Sequence, residues 1–115
     1  SASEASITNA IEYLASVNSG DMRLVLVPVI ELGEEGSAAH ERIGRLLHTL
    51  PARVYIYGNE YQKDILKGLG HLPKAMVLWF EDAKKLNEAV TAGIGSKSII
   101  VLEGRIPSLV REALL

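Results

Sequence analysis

Apolar residues along the chain follow two alternating patterns, a helical spacing and short uninterrupted runs. Residues 3–17 carry apolar side chains three or four positions apart, which gives a helix one apolar face. Residues 24–27 form a continuous apolar run, as expected of a strand that is buried on both faces. The same two patterns recur to the end of the chain. They predict further helices over 37–50, 60–69, 82–92 and from residue 107, with strands over 54–57, 76–80 and 98–102.

This order of elements predicts an α/β fold. Helical crossovers between short buried strands imply parallel strands that are joined by right-handed connections. We therefore predict a three-layer Rossmann-like domain with a mainly parallel sheet of at least four strands, flanked by helices. The chain opens with a helix rather than a strand, which is compatible with a domain that is entered from an upstream neighbour.

Single residues add local predictions. Gly20 suits a left-handed end of the first helix. Ser37 and Asp82 are side chains that can cap the second and the fourth helix. The helical spacing also assigns three leucines to buried faces, namely Leu46, Leu66 and Leu109.

Composition describes an ordinary globular domain and excludes two classes of partner. The 115 residues are enough for one domain, with 48% hydrophobic and 23% charged residues and no cysteine. The net charge of −2 and the absence of a basic stripe argue against a nucleic-acid partner. The longest apolar run, residues 24–30, is far too short to cross a membrane. The first residue is not Met, and we favour the cut end of a longer protein over a tag remnant.

Candidate chemistry lies in the loops after the predicted strands, because ligands of open α/β sheets bind beyond the carboxyl ends of the strands. Glu31 follows the first strand directly, and its position is compatible with either a functional or a structural role. Glu34 and Glu35 precede a helix, where the helix dipole favours negative charge without any further function. The last loop reads Glu103-Gly104-Arg105. There Gly104 allows a close backbone approach, and Arg105 is either a solvated turn residue or a group that grips a carboxylate or phosphate.

Other possible motifs do not meet the requirements of their chemistry. His40, His48 and His71 lack metal-ligand spacing, so we interpret them as structural or solvated residues. The glycine-rich segment 93–97 precedes a predicted strand instead of joining a strand to a helix, which argues against a phosphate loop. The chain contains no Walker A motif.

The loop motifs together resemble a known family. Residues 30–35, Ile-Glu-Leu-Gly-Glu-Glu, are followed by His40 and Gly44 as in the C-terminal domain of Mur ligases, and most nearly in the type that adds D-alanyl-D-alanine. Further landmarks follow in the family's order over nearly the whole chain, namely 3–7, Tyr57-Gly58, Phe80-Glu81-Asp82 and 101–104.

The resemblance implies that this chain is one domain of a longer enzyme and contributes to its function together with the other domains. Residues 1–115 would be the substrate-binding and closure domain of an ATP-dependent amide ligase of peptidoglycan precursor synthesis, in the cytoplasm. The isolated domain is not expected to be active. ATP and Mg²⁺ would be held largely by an upstream domain of the same chain, with no cofactor in this domain. Substrate-binding positions for the incoming amino acid or dipeptide would be Glu31, Glu103, Gly104 and Arg105.

The chain departs from the family pattern at three positions, which keeps a second interpretation open. Val27 and Pro28 stand where the family has Gly-Asp, and Glu103 stands at the family's Lys. The alternative is a stand-alone Rossmann-like binding or regulatory module without catalytic activity. An upstream Gly-Lys-Thr phosphate loop in the parent reading frame would favour the ligase.

Overall fold

The computed structural model describes residues 3–17, 19–28 and 33–115. Helices and strands alternate along these residues, with one short 3-10 turn, Gly33–Glu35, before the second helix. The elements in chain order are α1 (Glu4–Ser16), β1 (Asp21–Leu26), α2 (Gly36–Leu47), β2 (Arg53–Tyr57), α3 (Gln62–Leu69), β3 (Met76–Phe80), α4 (Ala83–Thr91), β4 (Ser98–Glu103) and α5 (Ser108–Leu114).

The four strands form one parallel sheet in the order β3-β2-β1-β4. β1 lies in the centre, with Leu26 in register with Ile56 on one side and with Glu103 on the other. Five of the six residues of β1 are buried, which confirms the double-sided burial that its continuous apolar run predicted. The predicted fold class, a parallel α/β sheet of at least four strands flanked by helices, is confirmed.

Each face of the sheet has its own apolar core, because side chains alternate between the two faces of a strand. Leu24, Val54 and their neighbours pack with α1, α2 and α3. Val25 and Tyr55 point to the other face and pack with Leu86 of α4 and with α5. The result is three layers, with three helices on one face and two on the other.

Helix ends follow the local chemistry in some places and not in others. Asp82 caps α4 as predicted, because its carboxylate accepts a 2.8 Å hydrogen bond from the backbone N–H of Lys84. The prediction for Ser37 is wrong, since α2 begins one residue earlier and extends a 3-10 turn that needs no side-chain cap. Gly20 does not adopt a left-handed angle either, and α1 ends in extended backbone at Val17.

Three leucines that the helical spacing placed inward are exposed instead. Leu46, Leu66 and Leu109 are 36%, 46% and 46% exposed. Each lies beside a neighbour that takes the buried position, such as Leu47 or Val110. The helices are short and contact the sheet along a narrow stripe, so a wide apolar face is only partly covered.

Helices α2 and α3 cross at two glycines that leave no room for a side chain. A Cβ atom added to Gly44 would lie 2.2 Å from the carbonyl oxygen of Ile65. A Cβ atom added to Gly68 would lie 1.9 Å from the carbonyl oxygen of Glu41. The backbones of the two helices are therefore in direct contact. Gly68 lies inside α3, and Gly70 with φ +67° forms the end of that helix.

One charged residue is buried within the sheet. Arg23 of β1 is 1% exposed, and its guanidinium binds the carboxylate of Asp21 at 2.9 and 3.0 Å. It also donates to the carbonyl oxygens of Val90 and Ala92, where α4 ends. A buried guanidinium is stable only when its donors are paired, and here the pairing fastens β1 to α4.

Candidate functional site

The strand order creates a topological switch point between β1 and β4. From β1 the chain adds β2 and β3 on one side, and then returns to place β4 on the other side. The helix after β1 lies on the three-helix face, and the helix after β4 lies on the two-helix face. In open α/β sheets, ligands bind where two such connections leave in opposite directions, at the carboxyl ends of the strands. We call this position between β1 and β4 the crevice. Of the candidate positions, Glu103 is the last residue of β4, and Gly104 and Arg105 follow it in the loop at this crevice.

The loop after β4 is pressed against the end of β1. The backbone N–H of Val27 donates to the carbonyl oxygen of Glu103 at 3.0 Å. Gly104 has φ +99°, and a Cβ atom there would lie 2.7 Å from the carbonyl oxygen of Val27. A tight turn follows, since the N–H of Ile106 donates to the carbonyl oxygen of Gly104 at 2.9 Å. The close approach predicted for Gly104 is therefore present, and it is made to β1.

The turn presents its charged residues to the solvent side of the crevice. Arg105 is exposed, whereas Ile106 next to it is buried in the two-helix core. Burial of Ile106 fixes the turn and leaves Arg105 at its outer corner. Glu103 is half-buried at the last position of β4. The turn thus holds one acidic and one basic side chain two residues apart.

The loop after β1 is described only in part. Glu31 lies outside the described residues, so its predicted role stays a prediction. Gly33–Glu35 form a 3-10 turn in which Glu34 and Glu35 are exposed. Pro28 is buried at the end of β1.

A stacked pair of rings joins this loop to the neighbouring one. The imidazole of His40 lies 3.8 Å from the ring of Tyr61, centroid to centroid, and the planes are 5° apart. The Nδ1 atom of His40 lies 2.7 Å from the carbonyl oxygen of Gly36, which can only accept, so Nδ1 carries the proton. The hydroxyl of Tyr61 occupies the space where a side chain of Gly36 would be. We call these three residues the ring clamp.

Burial determines the charge of the clamp histidine. His40 is fully buried, and desolvation lowers its pKa, although the hydrogen bond to Gly36 opposes this change. The imidazole is therefore neutral at pH 7. Its Nδ1–H group donates to the carbonyl oxygen of Gly36, the first residue of α2, and the ring adds no positive charge to the site.

Sequence reasoning placed the candidate residues in the loops after the strands, but it missed the ring clamp. His40 was interpreted as a structural or solvated residue, and no link to Tyr61 was predicted. The contact joins residues 21 positions apart, and no local pattern specifies such a pair. The spacing of Gly36 and His40, four positions apart on one helix face, was the one available signal.

The chemistry available at the crevice is recognition of a small polar ligand. Gly104 exposes backbone, and Arg105 provides a planar set of donors for a carboxylate or phosphate. Within the described residues, no group of three His, Cys, Asp or Glu side chains is placed to hold a metal ion. In the same part of the chain, no helix is long and apolar enough to cross a membrane.

Comparison with solved structures shows where else this fold occurs. The chain superposes with a TM-score of 0.71 on a MurF ligase from Thermotoga maritima in complex with ADP, at 21% sequence identity. The match covers 98% of this chain and 25% of that ligase, so the chain spans about a quarter of its length. Neither the family models nor the curated proteins contain a match. The two proteins share a fold over essentially the whole of this chain.

Proposed function

We propose that this chain is the C-terminal domain of an ATP-dependent amide ligase of peptidoglycan precursor synthesis, most like the D-alanyl-D-alanine-adding Mur ligase. The observation that carries the proposal is the superposition of 98% of the chain on a quarter of a MurF ligase. The Glu-Leu-Gly-Glu sequence of residues 31–34 supports the proposal as well, because it lies between β1 and α2 in the sequence, as in the family. At 21% identity, the ligand must be argued from the crevice itself.

A ligase of this type activates a substrate carboxylate with ATP as an acyl phosphate, and releases ADP. The amine of the incoming amino acid or dipeptide then attacks the acyl carbon, phosphate leaves, and an amide forms. Water would hydrolyse the acyl phosphate, so the enzyme must exclude it at this stage. In our proposal this domain binds the amine substrate and closes over the reacting groups.

Two side chains of the crevice have the chemistry for that role. Arg105, exposed at the corner of the last turn, is assigned to the carboxylate of the incoming substrate. Glu31 is assigned to its amine or to a neighbouring side chain. Gly104 and Glu103 form the backbone of the same turn, held by the hydrogen bond to Val27.

The nucleotide and the metal ion are assigned to another part of the protein. The described residues offer no metal-binding cluster, and the sequence has no Walker A motif. ATP and Mg²⁺ would therefore be bound by an upstream domain of the same chain, which is also the main partner of this one. We place the enzyme in the cytoplasm, where nucleotide-linked peptidoglycan precursors are made.

Replacement of Arg105 tests the proposal in the full-length protein. Arg105→Ala should raise KM for the amine substrate about tenfold or more, because a charge-assisted hydrogen bond to a carboxylate contributes about 1.5–3 kcal/mol. KM for ATP should change much less. Arg111→Ala is the matched control, since Arg111 is exposed on α5, away from the turn.

Two results would contradict the proposal. One is an Arg105→Ala enzyme whose KM for the amine substrate equals that of the wild type and of the control. The other is a parent reading frame without an upstream nucleotide-binding domain, which would leave a stand-alone binding module.

A further inference from the structure

A second cavity lies at the opposite edge of the sheet from the crevice. It occurs at the amino ends of β1, β2 and β3, and has a volume of about 230 Å³. Because all strands are parallel, this edge is a full strand length away from Gly104 and Arg105. The cavity therefore cannot belong to the crevice. Its lining consists of Gly20, Asp21, Met22, Pro51, Ala52, Arg53, Lys74 and Met76.

Asp21, the acidic residue of the cavity, already accepts hydrogen bonds from two other side chains. Both carboxylate oxygens of Asp21 accept hydrogen bonds from the guanidinium of Arg23, and the hydroxyl of Ser98 donates to the same carboxylate. The hydrogen bonds from Arg23 and Ser98 lower the pKa of Asp21 to about 2. Asp21 is therefore ionised at neutral pH, and its charge is balanced by Arg23.

The two remaining charged groups of the cavity are cations. Arg53 and Lys74 are exposed, and neither forms an ion pair within the described ranges 3–17, 19–28 and 33–115. Arg53 is also in register with Arg23 on the neighbouring strand, an arrangement in which like charges repel each other. Two exposed cations thus line the cavity beside a carboxylate whose charge Arg23 already balances. An anion at this edge would relieve the repulsion.

The walls of the cavity are fixed by backbone hydrogen bonds. The backbone N–H of Met76 donates to the carbonyl oxygen of Ala52 at 3.0 Å. The backbone N–H of Lys74 donates to the carbonyl oxygen of His48 at 2.8 Å. Met22 and Ala52 are buried and give the cavity an apolar floor. The backbone and the apolar floor of the site are therefore in place before any ligand arrives, and only the exposed side chains of Arg53 and Lys74 become ordered on binding.

We propose that this cavity binds a small phosphate-type dianion. The planar guanidinium of Arg53 can donate hydrogen bonds to two oxygens of a phosphate. Lys74, which precedes β3, adds a second positive charge. The volume accommodates a phosphate group with a few carbon atoms, which would rest on the apolar floor. Both cations are exposed to solvent, so affinity for inorganic phosphate alone should be weak, with a Kd of millimolar order.

Calorimetric titration of the full-length protein with inorganic phosphate tests this site. Sodium chloride at equal ionic strength corrects for screening. Arg53→Gln and Lys74→Gln should each raise Kd at least fivefold, while the control Lys85→Gln, an exposed change on α4, should leave it unchanged. Phosphate bound at a nucleotide site elsewhere would be insensitive to all three changes, so it can be separated from this site.

The opposite results would overturn the proposal. These are heat from phosphate that does not exceed the chloride control, or equal affinity in the wild type and both glutamine variants. Unfolding measured without phosphate should show that all three variants fold, since the three side chains are exposed. If one variant fails to fold, the other still decides the question. Neither result depends on ligase activity, so the two proposals fail separately.

Discussion

Two single residues hold the loops near the crevice, Gly104 through its backbone and His40 through its ring. Gly104 combines a left-handed angle with a close approach to Val27, and no residue with a Cβ atom fits both conditions. His40 contributes one proton on Nδ1 and one flat surface against Tyr61. Both residues hold neighbouring segments of backbone in position. Changes at these positions should therefore alter stability first.

Gly104→Ala should destabilise the chain by about 1–3 kcal/mol, because φ +99° is strained for alanine and its Cβ would lie 2.7 Å from a carbonyl oxygen. Urea denaturation measures the change. Gly95→Ala is the control, since nothing lies within 4 Å of a Cβ atom at Gly95 and its φ is not in the left-handed region. Equal stabilities for the two variants would show that the last turn does not depend on glycine.

The clamp histidine should make stability depend on pH. The folded pKa of His40 is lowered, so below its ordinary value of 6.5 the unfolded chain takes up a proton that the folded chain refuses. The free energy of unfolding should therefore fall as pH decreases from about 7.5 to about 5.5. His40→Phe keeps a ring against Tyr61 but has no titratable group, and should lose less stability over the same range.

His48 and His71 are present in both proteins, so their contributions cancel in that comparison. Denaturation curves at the two pH values provide the four free energies that are needed. An identical pH dependence of wild type and His40→Phe would mean that His40 titrates at its ordinary pKa, contrary to its burial.

At the level of elements, the sequence predicted the strands better than the helices. The continuous apolar run 24–27 overlaps the central strand β1, and its residues Leu24, Val25 and Leu26 are buried. The apolar run of β3 also predicted a strand correctly, although none of its residues is buried at this edge of the sheet. Helix faces were less certain, because helical spacing defines a stripe but not the width that neighbours cover. This is why Leu47 is buried while Leu46 beside it is exposed.

Contacts between distant elements could not be predicted from sequence at all. Gly44 and Gly68 look like helix-weakening residues when each is considered alone. Their role becomes visible only when α2 and α3 cross, with backbone atoms where side chains would be. The same holds for the pair of His40 and Tyr61. At the site, the positions of the loops along the sequence could be predicted from the strand ends. The ring clamp, which joins α2 to the start of α3, could not.

Gly68→Ala should separate α2 from α3 and destabilise the chain by about 1–3 kcal/mol, since its Cβ would lie 1.9 Å from the carbonyl oxygen of Glu41. Alanine favours an isolated helix over glycine, so the expected sign is opposite to that of helix propensity. Lys63→Ala, an exposed change on the same helix, should have little effect. Thermal unfolding of the three proteins measures both changes. A Gly68→Ala protein more stable than the wild type would refute the close crossing.

In the whole molecule, the crevice and the cationic cavity lie at opposite ends of the parallel strands. The carboxyl edge carries the crevice at the switch point, and the amino edge carries the cationic cavity. A ligand at one edge does not compete for space with a ligand at the other. The chain also spans only a quarter of the MurF ligase that it superposes on. In our proposal, ligation therefore belongs to the complete protein and not to this domain.

Ligation by the full-length protein is the most direct test of this account. The protein would be incubated with ATP, Mg²⁺, a UDP-N-acetylmuramoyl-tripeptide and D-alanyl-D-alanine, and the products would be weighed by mass spectrometry. We predict a product heavier by the dipeptide less one water, formed together with ADP and only when the dipeptide is present. ADP and product should both decline in Arg105→Ala at limiting dipeptide. No amide product with any amino acid or dipeptide, from a folded protein that binds ATP, would contradict the account.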